Sequence, residues 1–83
     1  MPKIKVTFAD SSTVIFHEEQ GFQTIVKRDN ETSLGEFFSL WNHIREGLIP
    51  SFTTLLVNSL FFYDVENPSV IYSSSAVVKV EEL

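Results

Sequence analysis

The sequence predicts an α+β domain: a small antiparallel sheet of about four to six short strands packed against one main helix over residues 34–46, with a second short helix over 51–58 as a further candidate. Three observations lead there. Lys3, Ile4, Lys5, Val6, Thr7 and Phe8 alternate polar and apolar, the period of a strand with one wet and one dry face. From Leu34 onward the apolar residues change to steps of three and four, the spacing of a helical stripe. A chain of 83 residues holds one hydrophobic core and not two, so both patterns belong to a single domain, 1–83.

In order, the opening strand directs Ile4, Val6 and Phe8 inward. Ala9, Asp10, Ser11 and Ser12 make a turn, because Asp and Ser side chains compete for nearby backbone amides. Residues 13–18 return as the second arm of a hairpin, with β-branched Thr13, Val14 and Ile15 before Phe16. Gln20 and Gly21 interrupt, and 22–28 form a third strand carrying Thr24, Ile25 and Val26. Asp29, Asn30 and Glu31 supply the next turn.

The main helix is expected to start near Leu34, with Ser33 and Glu36 as a capping box and with Leu34, Phe37, Phe38, Trp41, Ile44 and Leu48 on one stripe. Trp41, central on that stripe, should be buried by the sheet. Arg45, Gly47 and Pro50 end the helix, while Gly35 in its first turn is a mild contradiction. Ser51 can cap the second helix, with Phe52, Leu55, Leu56 and Ser59 at helical spacing. Strands follow over 60–65, 70–72 and 76–81, and in the first of them the adjacent Phe61 and Phe62 must point to opposite faces.

Composition excludes several function classes. A net charge of −5 repels phosphate backbones and anionic headgroups, so nucleic acid and membrane surfaces are disfavoured partners. The N-terminal residues alternate in charge and lack the apolar core of a signal peptide, which gives a cytoplasmic expectation and empties the glycosylation sequon at Asn30 of meaning. The uncharged stretch 47–63 includes Pro50, Ser51, Thr53, Thr54, Asn58 and Ser59, and it is shorter than the ~20 apolar residues of a membrane span. With no cysteine there is neither disulfide nor thiolate metal site, so stability rests on packing or association.

Few residues offer chemistry. No Gly-x-Ser-x-Gly elbow is present, and the serines at 11–12 and 73–75 are explained by turns. A metal site would need His17, His43 and a carboxylate to converge, without the close ligand spacing that normally announces one. Gly21, Gly35 and Gly47 are isolated and build no phosphate loop. Lys3, Lys5 and Lys79, joined by Lys27 and Arg28, read as a solvated sheet face rather than a nucleic-acid groove. The expectation is therefore no catalytic residue, no metal and no cofactor.

Eight Phe, two Tyr and one Trp are the strongest feature. Most of Phe37, Phe38, Trp41, Phe52, Phe61 and Phe62 should form the core, yet so small a globule cannot hide them all. Phe52, Leu56, Phe61 and Phe62 are the candidate interface, with a second copy of the chain, a homodimer, as the expected partner. The general look, an opening hairpin, a central helix and a closing Tyr-x-Ser-x-Ala-Val strand, resembles short bacterial and phage reading frames and carries no diagnostic motif. The leading expectation is a non-enzymatic protein-interaction or structural module. The alternatives are a small-molecule or catalytic domain with a pocket between helix and sheet, using His17, His43 or nearby carboxylates, and a weak nucleic-acid binder using the lysine face.

Overall fold

Alternation of buried and exposed side chains organises the chain into strands that form two antiparallel sheets. The computed structural model describes residues 2–42 and 47–83. Its elements are β1 (Lys3–Phe8), β2 (Thr13–His17), β3 (Gly21–Arg28), β4 (Glu31–Ser39), α1 (Ile49–Val57), β5 (Phe61–Asp64), β6 (Ile71–Ser73), a 3₁₀ turn (Ser74–Ala76) and β7 (Val77–Glu82). One sheet has the order β2-β1-β7 and the other β4-β3-β5-β6. The α+β class and the single principal helix hold. The single sheet becomes two, and the helix lies elsewhere than expected.

β1 and β2 pair as a hairpin with Ile4 opposite Phe16 and Val6 opposite Val14. Ile4, Val6, Phe8 and Phe16 are buried, as the period-two pattern requires. β7 pairs the other side of β1, with Val6 opposite Val80. The first strand is thus central, between the second and the last.

The segment expected to begin the main helix is β4. Asp29 and Asn30 form a two-residue turn in which Asp29 takes a left-handed φ of 57°, and Arg28 then pairs with Glu31. The register explains the misleading helical spacing. Ile25 is opposite Leu34 and Gln23 opposite Phe37, so two steps along β3 match three along β4. This bulge puts Leu34 and Phe37, three residues apart, on the same sheet face, an i, i+3 relation that mimics a helix. The bulged carbonyls are satisfied from β3: Thr24 Oγ1 donates to Glu36 O at 2.6 Å and Gln23 Nε2 donates to Gly35 O at 2.8 Å. A Cβ at residue 35 would stand 2.6 Å from Thr24 Oγ1 and 2.8 Å from a Val26 methyl, so glycine here serves close strand approach. Trp41, expected under the sheet, follows the strand and is 58% exposed. Ile44 and Arg45 lie outside the described residues.

The observed helix is α1, the segment expected to be secondary. Pro50 sits in its first turn, where the missing N–H costs nothing. Ser51 does not cap it; its hydroxyl donates to Leu48 O at 2.9 Å. The cap comes from the end of β7: Glu82 Oε1 accepts from the backbone N–H groups of Leu48 and Ile49. Thr53 and Thr54, β-branched and poor helix formers, donate back to Pro50 O.

The inner faces of the sheets meet through aromatic rings. Phe16 of β2 packs edge-on to Phe22 of β3 at 4.8 Å, and Phe8 of β1 stacks on Tyr72 of β6 at 5.2 Å. Phe52 of α1 enters between them, 5.7 Å from Phe16 and 5.8 Å from Phe62. Leu40, Leu48 and Leu55 complete the core.

Candidate functional site

The two sheets differ in what their outer faces carry. On the β2-β1-β7 sheet the outward positions are Lys3, Lys5 and Thr7 of β1, cross-strand from His17, Ile15 and Thr13 on one side and from Glu81 and Lys79 on the other. Lys79 pairs with Glu81 at 3.5 Å, and the pair is well exposed. This is a solvated face of mixed charge, as read from the sequence for Lys3, Lys5 and Lys79. Lys27 and Arg28 belong to the other sheet, at the hairpin end of β3.

The β4-β3-β5-β6 sheet is different. Residues directly opposite share a face. Ile25 has Leu34 and Phe61 as its neighbours, Gln23 has Phe37 and Tyr63, and Tyr63 in turn faces Ile71. These belong to the face away from the core, because Phe22, Thr24 and Phe62, the intervening residues, are fully buried. Phe37 and Val65 both reach over Gly21, where an added Cβ would come 2.5 Å from the Phe37 ring and 3.2 Å from a Val65 methyl. Leu34 is 66% exposed, and Phe37 and Ile71 are each 58% exposed. The cross-strand positions at the centre of the face are therefore apolar, with Gln23 and Ser73 as neutral polar members and Lys27 at one end; Glu36, exposed in the bulge between Leu34 and Phe37, has no cross-strand partner in the register.

Of the four residues assigned to an interface from sequence, one lies here. Phe61 is half-buried on this outer face; Phe62, its neighbour, is sealed in the core with no exposed area, as the opposite-face argument for adjacent strand residues requires. Phe52 is also fully buried and belongs to the core, so neither Phe52 nor Phe62 can meet a partner without unfolding. Leu56 is half-buried on α1 against the core. Sequence reasoning missed Leu34, Phe37, Tyr63 and Ile71. Their shared face depends on the bulge in β4 and on pairing between strands far apart in sequence, and neither is visible in local periodicity.

The polar groups form a second, smaller constellation. Gln20, buried in the β2–β3 connection, accepts from His17 N at 2.9 Å and donates to Asp64 Oδ2 of β5 at 2.5 Å. Asp64 Oδ1 accepts from Glu66 N at 2.9 Å. The His17 ring reaches Glu18 O at 2.7 Å through Nδ1 and Glu66 Oε2 at 3.0 Å through Nε2. Both contacts favour the protonated ring, first the backbone carbonyl of Glu18 and then the Glu66 carboxylate, and hold the His17 pKa above its ordinary value. The network ties the two sheets together. His43 lies outside the described residues, and among the described residues no three His, Asp or Glu side chains converge to hold a metal ion. The pocket expected between a helix over 34–46 and the sheet has no counterpart among the described residues, because the start of that segment is β4; a hollow of ≈160 Å³ beside α1 is lined by Phe38, Trp41, Pro50, Ser51 and Thr54, with no His or carboxylate among them. No described helix is long and apolar enough to cross a membrane.

Compared with known proteins, the chain matches no family model, no curated protein and no solved structure.

Proposed function

We propose that this chain is a non-enzymatic protein-interaction module whose working surface is the outer face of the β4-β3-β5-β6 sheet, and that a second copy of the chain is its partner. One observation carries the reading: cross-strand neighbours on this face are Ile25, Leu34, Phe37, Phe61, Tyr63 and Ile71, while the outer face of the other sheet carries Lys3, Lys5, Lys79 and Glu81. A contiguous exposed apolar surface of this kind marks a protein contact.

The scarcity of charge favours a copy over a different partner. In a chain of net charge −5, most surfaces repel their own duplicate, and a two-fold contact brings each residue near its own counterpart. A largely apolar face meets itself with little of that cost. The face is small: β4, β3, β5 and β6 have 9, 8, 4 and 3 residues, which at ~3.3 Å rise and ~4.8 Å spacing is on the order of 400 Å² in projection, below the about 600 Å² per partner of standard interfaces and suited to a weak dimer.

Sedimentation of the wild type with Phe37→Glu and Leu34→Lys variants tests this. The wild type should sediment as a dimer at high micromolar concentration, and each variant as a folded monomer. A monomeric wild type, or charged variants that dimerise as well as it does, overturns the reading.

A further inference from the structure

A cleft of ≈350 Å³ opens between the β1–β2 turn and β6, away from the helix. Phe8, Ile71, Tyr72 and Ala76 give it apolar walls, and Asp10 and Ser12 stand among its polar lining groups. The volume falls within the ~300–1,000 Å³ typical of small-molecule sites. The Phe8 and Tyr72 rings that line it stack at 5.2 Å with planes 9° apart, and Tyr72 stacks in turn near Phe62 at 5.3 Å, so this wall is continuous with the core.

The turn is equally fixed. Phe8 N donates to Ser12 O at 2.9 Å, Ser11 N to Phe8 O at 2.9 Å, and Ala9 N to Ala76 O at 2.8 Å, which anchors it to the far wall. Ser11 takes a left-handed φ of 72° to close it. Within this frame Asp10 Oδ1 accepts from Ser12 N at 3.0 Å and from Ser12 Oγ at 2.6 Å. Oδ2 accepts from no described residue. The Ser12 hydroxyl, then the Ser12 amide, hold the Asp10 carboxyl below the usual carboxylate range, so it is anionic at neutral pH. Among the described residues no Lys or Arg lines the cleft.

We infer that this cleft binds a small organic ammonium: an apolar body seated between Phe8, Tyr72, Ile71 and Ala76, with its cationic nitrogen on the free oxygen of Asp10. An anionic ligand meets repulsion from the carboxylate. A neutral one of the same shape gains the walls without the charge-assisted bond that ammonium donates to carboxylate.

Benzylammonium, followed by amide chemical shifts of ¹⁵N-labelled protein, tests the assignment, with benzyl alcohol as the neutral probe of similar shape. Saturable shifts are expected at residues 8–12 and 71–76, with benzyl alcohol weaker by about two- to fivefold, the magnitude of an exposed ion pair. Asp10→Asn keeps an acceptor for the Ser12 amide while removing the charge, and should weaken benzylammonium by the same factor. Ala76→Leu fills the cleft and should abolish binding of both probes. Spectra unchanged outside the turn certify that each variant is folded. The assignment is overturned if no saturable shifts appear at these residues, if Asp10→Asn binds as the wild type does, or if the two probes bind equally. Ile71 belongs to both surfaces, so the titrations are run at concentrations where sedimentation shows a monomer, and the two proposals then fail independently.

Discussion

Replacing Phe62 with alanine, beside the same change at Phe61, tests the whole arrangement of the four-stranded sheet. Phe62 has no exposed surface, and its ring is met by Phe22 at 5.8 Å, Phe52 at 5.8 Å and Tyr72 at 5.3 Å. Truncation removes buried apolar area and leaves a cavity that three large neighbours cannot easily fill, a loss of about 3–5 kcal/mol. A domain of this length has a total stability of roughly 4–12 kcal/mol, so the variant is left marginal or unfolded. At ~2.1 cal/mol/K per residue the unfolding entropy is about 0.17 kcal/mol/K, and a 4 kcal/mol loss lowers the melting midpoint by about 20 °C. Phe61, half-buried on the opposite face, should cost the fold about 1 kcal/mol or less in the monomer. Thermal and urea unfolding followed by circular dichroism, at concentrations where the chain is monomeric, measures both. Equal losses, or a larger loss at Phe61, would mean that β5 pairs with β3 one residue out of the described register, because a single-residue slip exchanges the faces of every side chain.

Three other outcomes follow from single groups. Gly35→Ala should destabilise by about 1–3 kcal/mol, because the new Cβ meets Thr24 Oγ1 and a Val26 methyl, both on stiff β-branched side chains; in a helix the same change would add up to ~1 kcal/mol, so the sign from urea unfolding separates the two structures. Glu82→Ala strips the acceptor from the Leu48 and Ile49 amides and should cost about 1–2 kcal/mol, whereas Glu82→Gln keeps an acceptor and should cost less than half as much. The raised pKa of His17, which faces Glu18 O, Glu66 and Asp64, contributes stability that is fully present below about pH 6.5 and is lost as pH rises through the higher folded-state value. The ring is well exposed, so the effect is small, and His17→Gln should flatten that part of the pH profile of unfolding; a wild-type slope that survives the substitution refutes the assignment.

What the sequence disclosed divides along local and non-local lines. The β1–β2 hairpin was legible because its alternation and its Asp10–Ser12 turn are contained within a short stretch of chain. The opposite faces of Phe61 and Phe62 were legible for the same reason, since pleating alone determines them. β4 was misread because the bulge at Gly35 gives Leu34 and Phe37 a helical interval, and because Ser33 and Glu36 match a capping box that the structure does not use. Ser51 was expected to cap α1, but its acceptor is Glu82, over thirty residues away, which no local pattern encodes. The apolar outer face was hidden for a related reason: assigning Leu34, Phe37 and Trp41 to a helical stripe placed them against the core, and nothing local showed which of the aromatics would be left outside. The cleft joins the turn after β1 to β6, and its parts are unremarkable apart.

The central place of β1 constrains how the chain acquires its structure. One neighbour is its immediate successor and the other is the last strand, and Leu83 N still donates to Lys3 O at 3.0 Å. The pairing of Ile4 with Glu82 closes a loop over nearly the entire chain, and the same Glu82 caps α1. Non-local closure of this kind is slow, because chain entropy is lost before the contacts that repay it are made. The three-stranded sheet stays incomplete, and the helix uncapped, until β7 is in place. A protease cut or stalled translation anywhere before β7 therefore yields a fragment lacking one wall of the core and one end of the helix, not a smaller folded unit.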